Sequence, residues 1–208
     1  MSLGVVARRE NVLWRASIHL ARTVYREKFG ADIDPSPDLF AALQHSAPDQ
    51  GPADDAPLGA VAGMTFAGNA HLLSEYYLAG SVEAVLAPRI GQRLQRSEIV
   101  EVGPLAATTN GDGAQLCSLL PLLTWCNGAK AVVCTVTPRL SGLLNRMGID
   151  FVPLVPAREN ALPRRLQGDW GSYYESSPVT GYIDLRSVGQ RLTDGAFAPA
   201  PARRPAQV

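Results

Sequence analysis

The sequence predicts an α/β fold in which helices flank a mixed β-sheet. The main observation is the order strand–helix–strand–helix–strand between residues 98 and 155, which is typical of an α/β unit with right-handed crossovers. The segment 131–136 is apolar without alternation, which indicates a strand buried on both faces. A chain of 208 residues can bury one sizeable core. We therefore predict a single domain over residues 1–190, followed by a disordered Ala/Pro/Arg-rich tail over 191–208.

The first half of the chain opens with a clear amphipathic helix. Residues 9–28 carry apolar side chains at spacings of three and four, and Gly30 stands where such a helix would end. Residues 32–57 hold five prolines, and the run 48–55 predicts a loop. Residues 58–66 predict a strand, although its small residues weaken the pattern.

Two more helical segments are predicted before the central strand. Residues 72–78 form a short candidate helix. Residues 83–96 have amphipathic spacing, and Pro88 must lie near the start of that helix or interrupt it, because proline removes a backbone donor.

The second half of the chain gives clearer elements. Thr137 as N-cap and Pro138 in the first turn are a strong helix start, whereas Pro121 should kink the helix that contains it. The segment 156–178 is irregular and too long for a simple connection. The predicted elements are strands at 98–106, 131–136, 149–155 and 179–185, and helices from about 113 to 127 and from 138 to 147.

Composition excludes several classes of partner. The 19 basic and 19 acidic residues give no electrostatic reason to expect nucleic acid or an anionic membrane. No apolar run is long enough for an integral membrane segment, and the N-terminus does not have the pattern of a signal peptide. The odd set Cys117, Cys126 and Cys134 indicates reduced, buried thiols. These observations predict a cytoplasmic protein.

Motifs of three common site types are absent. His19, His45 and His71 are far apart in sequence, so no metal site is predicted. A Gly-x-Ser-x-Gly elbow is missing, which leaves a serine hydrolase without support. A dinucleotide fingerprint that began at Gly111 would require glycine at position 116, which is leucine.

The most informative stretch is residues 98–106. Glu101 stands at the centre of an apolar strand, a turn follows at Gly103-Pro104, and the glycine-containing residues 110–113 lead toward a helix. This is the layout of a carboxylate beside a helix N-terminus that can receive a phosphate. An acid inside a strand is costly to bury unless it is paired or protonated. Glu101 is therefore either a general base or a structural acid that faces solvent or an arginine.

Four stretches of the chain carry a family resemblance, namely 25–33 with 37–39, 73–78, 98–106, and 170–174 with Pro178, Val179 and Gly181. Taken in this order, they resemble the thermostable hemolysin family, which is related to acyl-homoserine-lactone synthases and GNAT-type acyltransferases. The resemblance covers most of residues 16–186. One departure is Pro104, which stands where the family pattern has asparagine, and proline removes both the amide side chain and a backbone donor.

The resemblance implies a GNAT-like fold, whose sheet splays in the middle to hold an acyl donor. The pantetheine arm would add like a strand at the splay, and donor phosphates would meet the following helix N-terminus. The implied donor-binding residues are Leu105, Ala106, Asn110, Gly111 and Gly113.

The loop before this helix has no arginine, and Asp112 is unfavourable beside a diphosphate. A thioester of an acyl carrier protein, with one phosphodiester, is therefore at least as plausible as coenzyme A. In either case the thioester is a co-substrate, and no tightly bound cofactor is implied.

Transfer of an acyl group to an amine needs a base, donors for the oxyanion and an acid for the leaving thiol. Glu101 is the candidate base. Tyr173 and Tyr174 are candidates for the acid, and the alternative for both is aromatic packing at the sheet edge. The candidates for substrate binding are Arg22, Arg26 and Trp170, and a solvated helix face is the alternative for the two arginines.

Three functions follow from this reading of the sequence. The first is a bacterial, autoinducer-synthase-like acyltransferase that moves an acyl group from a carrier-protein or coenzyme A thioester to a small amine. The second is a membrane-active, hemolysin-like protein, and the third is a catalytically silent GNAT-like partner domain. A homo-oligomer is left open. The first function predicts a sheet that opens near residues 101–106, with Glu101 facing the cleft and the aromatic residues of 156–178 over its mouth.

Overall fold

The computed structural model describes residues 1–7, 12–45, 56–186 and 188. Within them, seven strands form one sheet in the order β1-β2-β3-β4-β5-β7-β6. Neighbouring strands are antiparallel except for the parallel pair β4 and β5. The strands are β1 (Ser2–Ala7), β2 (Leu39–Gln44), β3 (Leu58–Phe66), β4 (Ile99–Ala107), β5 (Ala131–Val136), β6 (Phe151–Pro156) and β7 (Val179–Asp184), and the helices are α1 (Val12–Phe29), α2 (Val82–Ile90), α3 (Asn110–Cys126) and α4 (Pro138–Arg146).

Helices cover both faces of the sheet, as the sequence predicts. On one face, α1 packs Val24 against Phe40 and Val61, and α2 packs Leu86 against Ile99. The other face is covered by α3 and α4. The alternation of strand side chains assigns neighbouring residues to opposite faces. The predicted mixed α/β fold is confirmed.

Several predicted elements need correction. Strands β1 and β2 were not predicted. Helix α2 ends at Ile90, with Gly91 in the left-handed region at φ 74°, and Pro88 lies inside its last turn. Helix α3 begins at Asn110 instead of near 113 because the Thr109 side chain caps it. The structure also shows Cys126 exposed, which corrects the prediction that all three thiols are buried.

Two predicted features lie outside the described residues, namely the loop at 48–55 and the tail at 191–208. The segment between β6 and β7 is built from short 3-10 turns at Glu159–Ala161, Arg164–Leu166 and Tyr173–Ser176. Among the described residues, no helix combines the length and the apolar character needed to cross a membrane.

Candidate active site

Strands β4 and β5 pair at one end and separate at the other. Their register joins Ile99 to Ala131, Val100 to Val132 and Glu101 to Val133, and no pair is formed between them beyond this point. Strand β4 nevertheless continues to Ala107 and β5 to Val136. Pro104 has no backbone N–H to offer a neighbouring strand, and the register between β3 and β4 shifts at the same level. The predicted opening of the sheet near residues 101–106 is confirmed.

A cavity of about 860 Å³ occupies this opening. Its volume lies within the range of about 300–1,000 Å³ that is typical of small-molecule sites. Side chains of α3, α4, β5, β7 and the connection between α4 and β6 make its inner wall apolar. Among these lining residues are Leu120, Leu140, Leu143, Leu144, Ile149 and Ile183.

Three basic side chains contribute to the cavity lining. Lys28 from α1, and Arg139 and Arg146 from α4, line it, and the lining within the described residues contains no Asp or Glu. All three basic residues are largely exposed. The Arg139 guanidinium donates to Asn110 Oδ1 at 3.2 Å, which brings the starts of α3 and α4 together. An anionic group at this rim would meet cations and no carboxylate.

The start of α3 shows where the predicted phosphate loop lies. Asn110 and Gly113 line the cavity, whereas Gly111 belongs to the same turn without lining it. Asp112 is buried and accepts from the Thr109 hydroxyl at 2.7 Å. This bond is the largest cause that lowers the pKa of Asp112.

Asp112 also pairs with His45 Nε2 at 3.2 Å. A methyl group at Gly59, on β3, would lie 2.9 Å from Asp112 Cγ. The carboxylate is therefore packed against β2 and β3, and Asp112 is not among the residues that line the cavity.

Glu101 lies at the point where the strands part. Its carboxylate accepts backbone N–H bonds from Leu73 and Ser74, both at 2.8 Å, and so holds the start of the 3-10 turn Leu73–Tyr76. Burial is the largest influence on this carboxyl and raises its pKa, while the two N–H donors act in the opposite direction.

The orientation of Glu101 agrees with strand alternation. Ile99 packs on the α2 face near Leu72, whereas Val100 and Val102 pack toward α3. Glu101 itself is not among the cavity-lining residues. Burial is the main cause that raises the pKa of Cys134 and of Tyr173, which do line the cavity, and the charge of Glu101 adds to this rise. Glu101 is therefore a neighbour of the cavity wall, and its role as a base stays a prediction.

The aromatic residues of the segment 156–178 pack on one another, and of them only Tyr173 is part of the cavity wall. Tyr173 is buried and lines it, and its hydroxyl donates to the Thr135 carbonyl at 3.1 Å. Tyr174 is half-buried, and its hydroxyl lies 2.5 Å from that of Tyr77. Trp170 packs on Tyr173 with ring centroids 5.7 Å apart. Of the two adjacent tyrosines, Tyr173 is thus the one that points inward.

The two predicted substrate-binding arginines lie in exposed ion pairs. Arg22 pairs with Asp34, and Arg26 pairs with Asp32 at 2.7 Å. Arg22 also donates to the Ile33 carbonyl at 3.1 Å. Both arginines therefore hold the turn that follows α1, and the structure does not bring them to the cavity wall.

The two predicted donor-binding residues on β4 point to opposite faces of the sheet. Leu105 lines the cavity, whereas the Ala106 side chain is buried against α1. Only the backbone of Ala106 can therefore meet a ligand in the opening.

Glu75 is a buried acid whose contacts resemble those of Glu101. Glu75 accepts backbone N–H bonds from Leu72 at 2.9 Å and Val82 at 3.0 Å. Arg96 donates to it at 2.7 Å. Although burial works in the other direction, these bonds lower the pKa of Glu75 to about 2. Glu75 joins the 3-10 turn Leu73–Tyr76 to the start of α2 and is not among the cavity-lining residues.

Sequence reasoning missed several residues of the cavity wall. Tyr25 and Lys28 come from the end of α1, Cys134 from β5, and Arg139 from the first turn of α4. The available signals were weak. Tyr25 belongs to a stretch that carries the family resemblance, and Arg139 directly follows the Thr137-Pro138 helix start.

Comparison with solved structures supports the fold. The acyl-homoserine-lactone synthase LasI superposes with a TM-score of 0.56 at 12% identity, over 89% of this chain and 90% of that one. TofI in an apo form gives 0.56 at 14% identity, over 89% and 91%. FeeM, an N-acyl amino acid synthase from uncultured soil microbes, gives 0.56 at 15% identity, over 88% and 98%. At these identities the likeness establishes the fold alone.

Comparison by sequence gives the family. No curated protein matches the chain. The family described as thermostable hemolysin matches residues 7–188, which is most of the 208 residues. This chain therefore belongs to the thermostable hemolysin family.

Proposed function

We propose that this protein is an acyltransferase that moves an acyl group from a thioester to a small amine. The observation that carries the proposal is the 860 Å³ cavity in the opened sheet. Proteins of similar fold act on such substrates: FeeM is an N-acyl amino acid synthase, and BjaI is a coenzyme A-dependent acyl-homoserine-lactone synthase solved with SAM and isopentyl-CoA, with a TM-score of 0.54 and 15% identity. The thioester is a co-substrate that is consumed in each turnover, and its free thiol leaves; we place this reaction in the cytoplasm.

The donor arm lies along the free edge of β4. Backbone groups of Leu105 and Ala106 pair with it as a neighbouring strand would. Its phosphate reaches the first turn of α3 at Asn110, Gly111 and Gly113, because the N-terminus of a helix favours an anion. The cations around the rim serve a carrier-protein phosphodiester and coenzyme A alike, so both donors belong to the proposal.

The acyl chain occupies the apolar end of the cavity, between α3 and α4. A cavity of about 150 Å³ is enough to hold benzene, so 860 Å³ exceeds what an acetyl group needs even after the pantetheine arm has entered. We expect chains of medium or greater length to be used better than acetyl.

The reaction needs proton transfers at both ends. Glu101 takes a proton from the amine, through a water, since its carboxylate lies beside the cavity wall. Tyr173 lines the cavity and is the first candidate to protonate the leaving thiolate. Tyr174 is the second candidate, and its hydroxyl is bonded to that of Tyr77. Arg22 and Arg26, with Trp170, remain proposed acceptor contacts. For the two arginines to bind the acceptor, their ion pairs with Asp34 and Asp32 would have to break.

Filling the acyl end of the cavity tests this assignment. Leu143 is half-buried on α4 and lines the cavity, so Leu143→Trp should lower kcat/KM for long-chain thioesters much more than for short ones. The matched control is Val12→Trp, because Val12 is 47% exposed at the start of α1. An equal loss for all chain lengths in the Leu143 variant would contradict the proposed place of the acyl chain.

The alternative functions predict different results. A membrane-active protein would release dye from liposomes without any thioester present. A silent partner domain would bind thioesters or a protein without producing an amide. Neither alternative requires chain-length selectivity that changes with the residue at position 143.

A further inference from the structure

Tyr25 places a phenol at the opened part of β4. It lies near the end of α1, is buried, and lines the cavity together with Val102, Gly103 and Leu105. The ring is fixed by aromatic neighbours, which hold it in one orientation. Its centroid lies 5.6 Å from Phe29, 6.1 Å from Tyr173 and 6.5 Å from Trp170.

The Tyr25 hydroxyl is protonated and can therefore donate a hydrogen bond. Burial raises its pKa to about 12, and the backbone of Leu105, within reach of the hydroxyl, opposes this rise. The phenol therefore keeps its proton at neutral pH. In the part of the chain that the structure describes, no side chain or carbonyl accepts that proton.

The other tyrosine that lines the cavity within the described residues is Tyr173, and its hydroxyl already donates to the Thr135 carbonyl at 3.1 Å. Tyr174 and Tyr77 bond to each other and are not part of the cavity wall. Tyr25 is thus the phenol of the described cavity wall whose hydroxyl proton is free to bond a ligand.

Pro104 creates a need for such a donor. A thioester carbonyl in the opening would meet β4, where backbone N–H groups are the obvious donors to an oxyanion. Pro104 offers neither an N–H nor a polar side chain. Tyr25 lines the same cavity as Gly103 and Leu105, the residues on either side of Pro104.

We propose that Tyr25 is a catalytic residue whose hydroxyl donates a hydrogen bond to the carbonyl oxygen of the bound thioester. This proposal rests on the proposed acyl transfer. The amine nitrogen attacks the carbonyl carbon, and the C=O electron pair moves to oxygen, where Tyr25 stabilises the charge. When the C–N bond is made and the C–S bond breaks, the pair returns, the thiolate leaves and takes up a proton, and the nitrogen loses one proton to the base.

The test is Tyr25→Phe, which keeps the ring stack and removes the hydroxyl. Loss of one oxyanion donor lowers kcat by about 10²–10³-fold in other enzymes, so we expect about a 10²-fold fall in kcat, with the KM for the thioester changed by less than about three-fold, since the donor acts mainly on the developing charge. Tyr76→Phe is the matched control, because Tyr76 is half-buried in the 3-10 turn and is not part of the cavity wall.

Binding of two unreactive donor analogues gives a second readout. One is a ketone in which CH₂ replaces the thioester sulfur and the carbonyl remains. The other is a thioether without the carbonyl. Tyr25→Phe should weaken binding of the ketone by about ten-fold, as expected for the loss of one hydrogen bond of about 1.4 kcal/mol, and leave the thioether unchanged.

The outcomes separate the two proposals. Equal kcat for the wild type and Tyr25→Phe, or equal weakening of both analogues, would overturn the role of Tyr25 while acyl transfer stands. Absence of transfer by the wild type would overturn the proposed function. The difference between ketone and thioether binding would then still decide whether Tyr25 contacts a carbonyl.

Discussion

Replacing Glu101 by glutamine separates its structural role from its proposed chemical role. The change keeps the volume of the side chain and removes the charge. The carboxylate accepts two backbone N–H bonds at 2.8 Å, from Leu73 and Ser74. An amide has one acceptor oxygen, so its NH₂ group must face one of these N–H donors.

The size of the stability loss follows from those contacts. A hydrogen bond to a charged group contributes about 1.5–3 kcal/mol, and one of two such bonds is lost. The raised pKa of Glu101 shows that burial already penalises the ionised form, which reduces the net loss. We expect about 2 kcal/mol, which lowers Tm by roughly 4–8 °C in a chain of this size.

Glu75→Gln is the matched control because Glu75 also accepts two backbone N–H bonds but lies in the 3-10 turn Leu73–Tyr76, whereas Glu101 lies on the opened strand β4. Both variants should lose stability. At a temperature where circular dichroism shows both to be folded, only Glu101→Gln should lose turnover, by about 10²-fold or more if the carboxylate is the base.

The pH profile gives an independent check on the base. A base must be ionised to act, so activity should rise with pH through a pKa above the ordinary 4.5 of glutamate, because burial raises the pKa of Glu101. This acid limb should vanish in Glu101→Gln. If Glu101→Gln turned over as fast as Glu75→Gln, Glu101 would be a structural cap and the base would have to be sought elsewhere.

Three further predictions concern the surroundings of the site. Tyr173→Phe should slow transfer by about ten-fold or more, while Tyr174→Phe stays within about two-fold, because Tyr173 alone of the two lines the cavity; equal rates for the two variants would contradict this. The pKa of Glu75 falls from 4.5 to about 2 on folding, so its stabilisation is present above pH 4.5 and is lost as the pH falls toward 2. Urea midpoints at neutral pH and at about pH 3 should therefore differ less in Glu75→Gln than in the wild type, and an equal difference would exclude this linkage. Gly63→Ala would place a methyl group 2.6 Å from the Gly103 carbonyl oxygen, and we expect a loss of about 1–3 kcal/mol in thermal unfolding; an unchanged Tm would show that β3 and β4 can shift at no cost.

Local patterns in the sequence predicted the centre of the sheet. Strand β5 lacks alternation because both of its faces are covered, and Thr137-Pro138 starts α4 as expected. Gly103-Pro104, predicted as a turn, lies inside β4. Pro104 nevertheless marked the opening, since a residue without an N–H cannot continue a ladder.

The missed strands and the shifted helix start have identifiable causes. Strand β2 lies in a proline-rich segment and is buried on both faces. It has only six residues, and its apolar and polar side chains do not alternate. Asn110 and Gly111 look like a loop because glycine is unfavourable inside a helix. The first turn tolerates them because the Thr109 hydroxyl accepts a hydrogen bond from the Asp112 N–H and donates one to the Asp112 carboxylate.

The site was predictable only in part because its contacts are far apart in sequence. Glu101 could be identified from a single strand, but its partners lie 27 and 28 positions away. Helical spacing shows that α1 is amphipathic but does not show that Tyr25 meets an opened strand. That fact depends on where β4 and β5 part, which is a property of the assembled sheet.

Mass spectrometry of the reaction products tests the central claim most directly. The purified protein would be incubated with carrier-protein and coenzyme A thioesters of increasing chain length, each with a panel of small amines. The account predicts an N-acyl amine and free thiol in equal amounts, with medium or longer chains preferred over acetyl. Free thiol without amide, or no turnover with any pair while the same preparation releases dye from liposomes, would contradict the account.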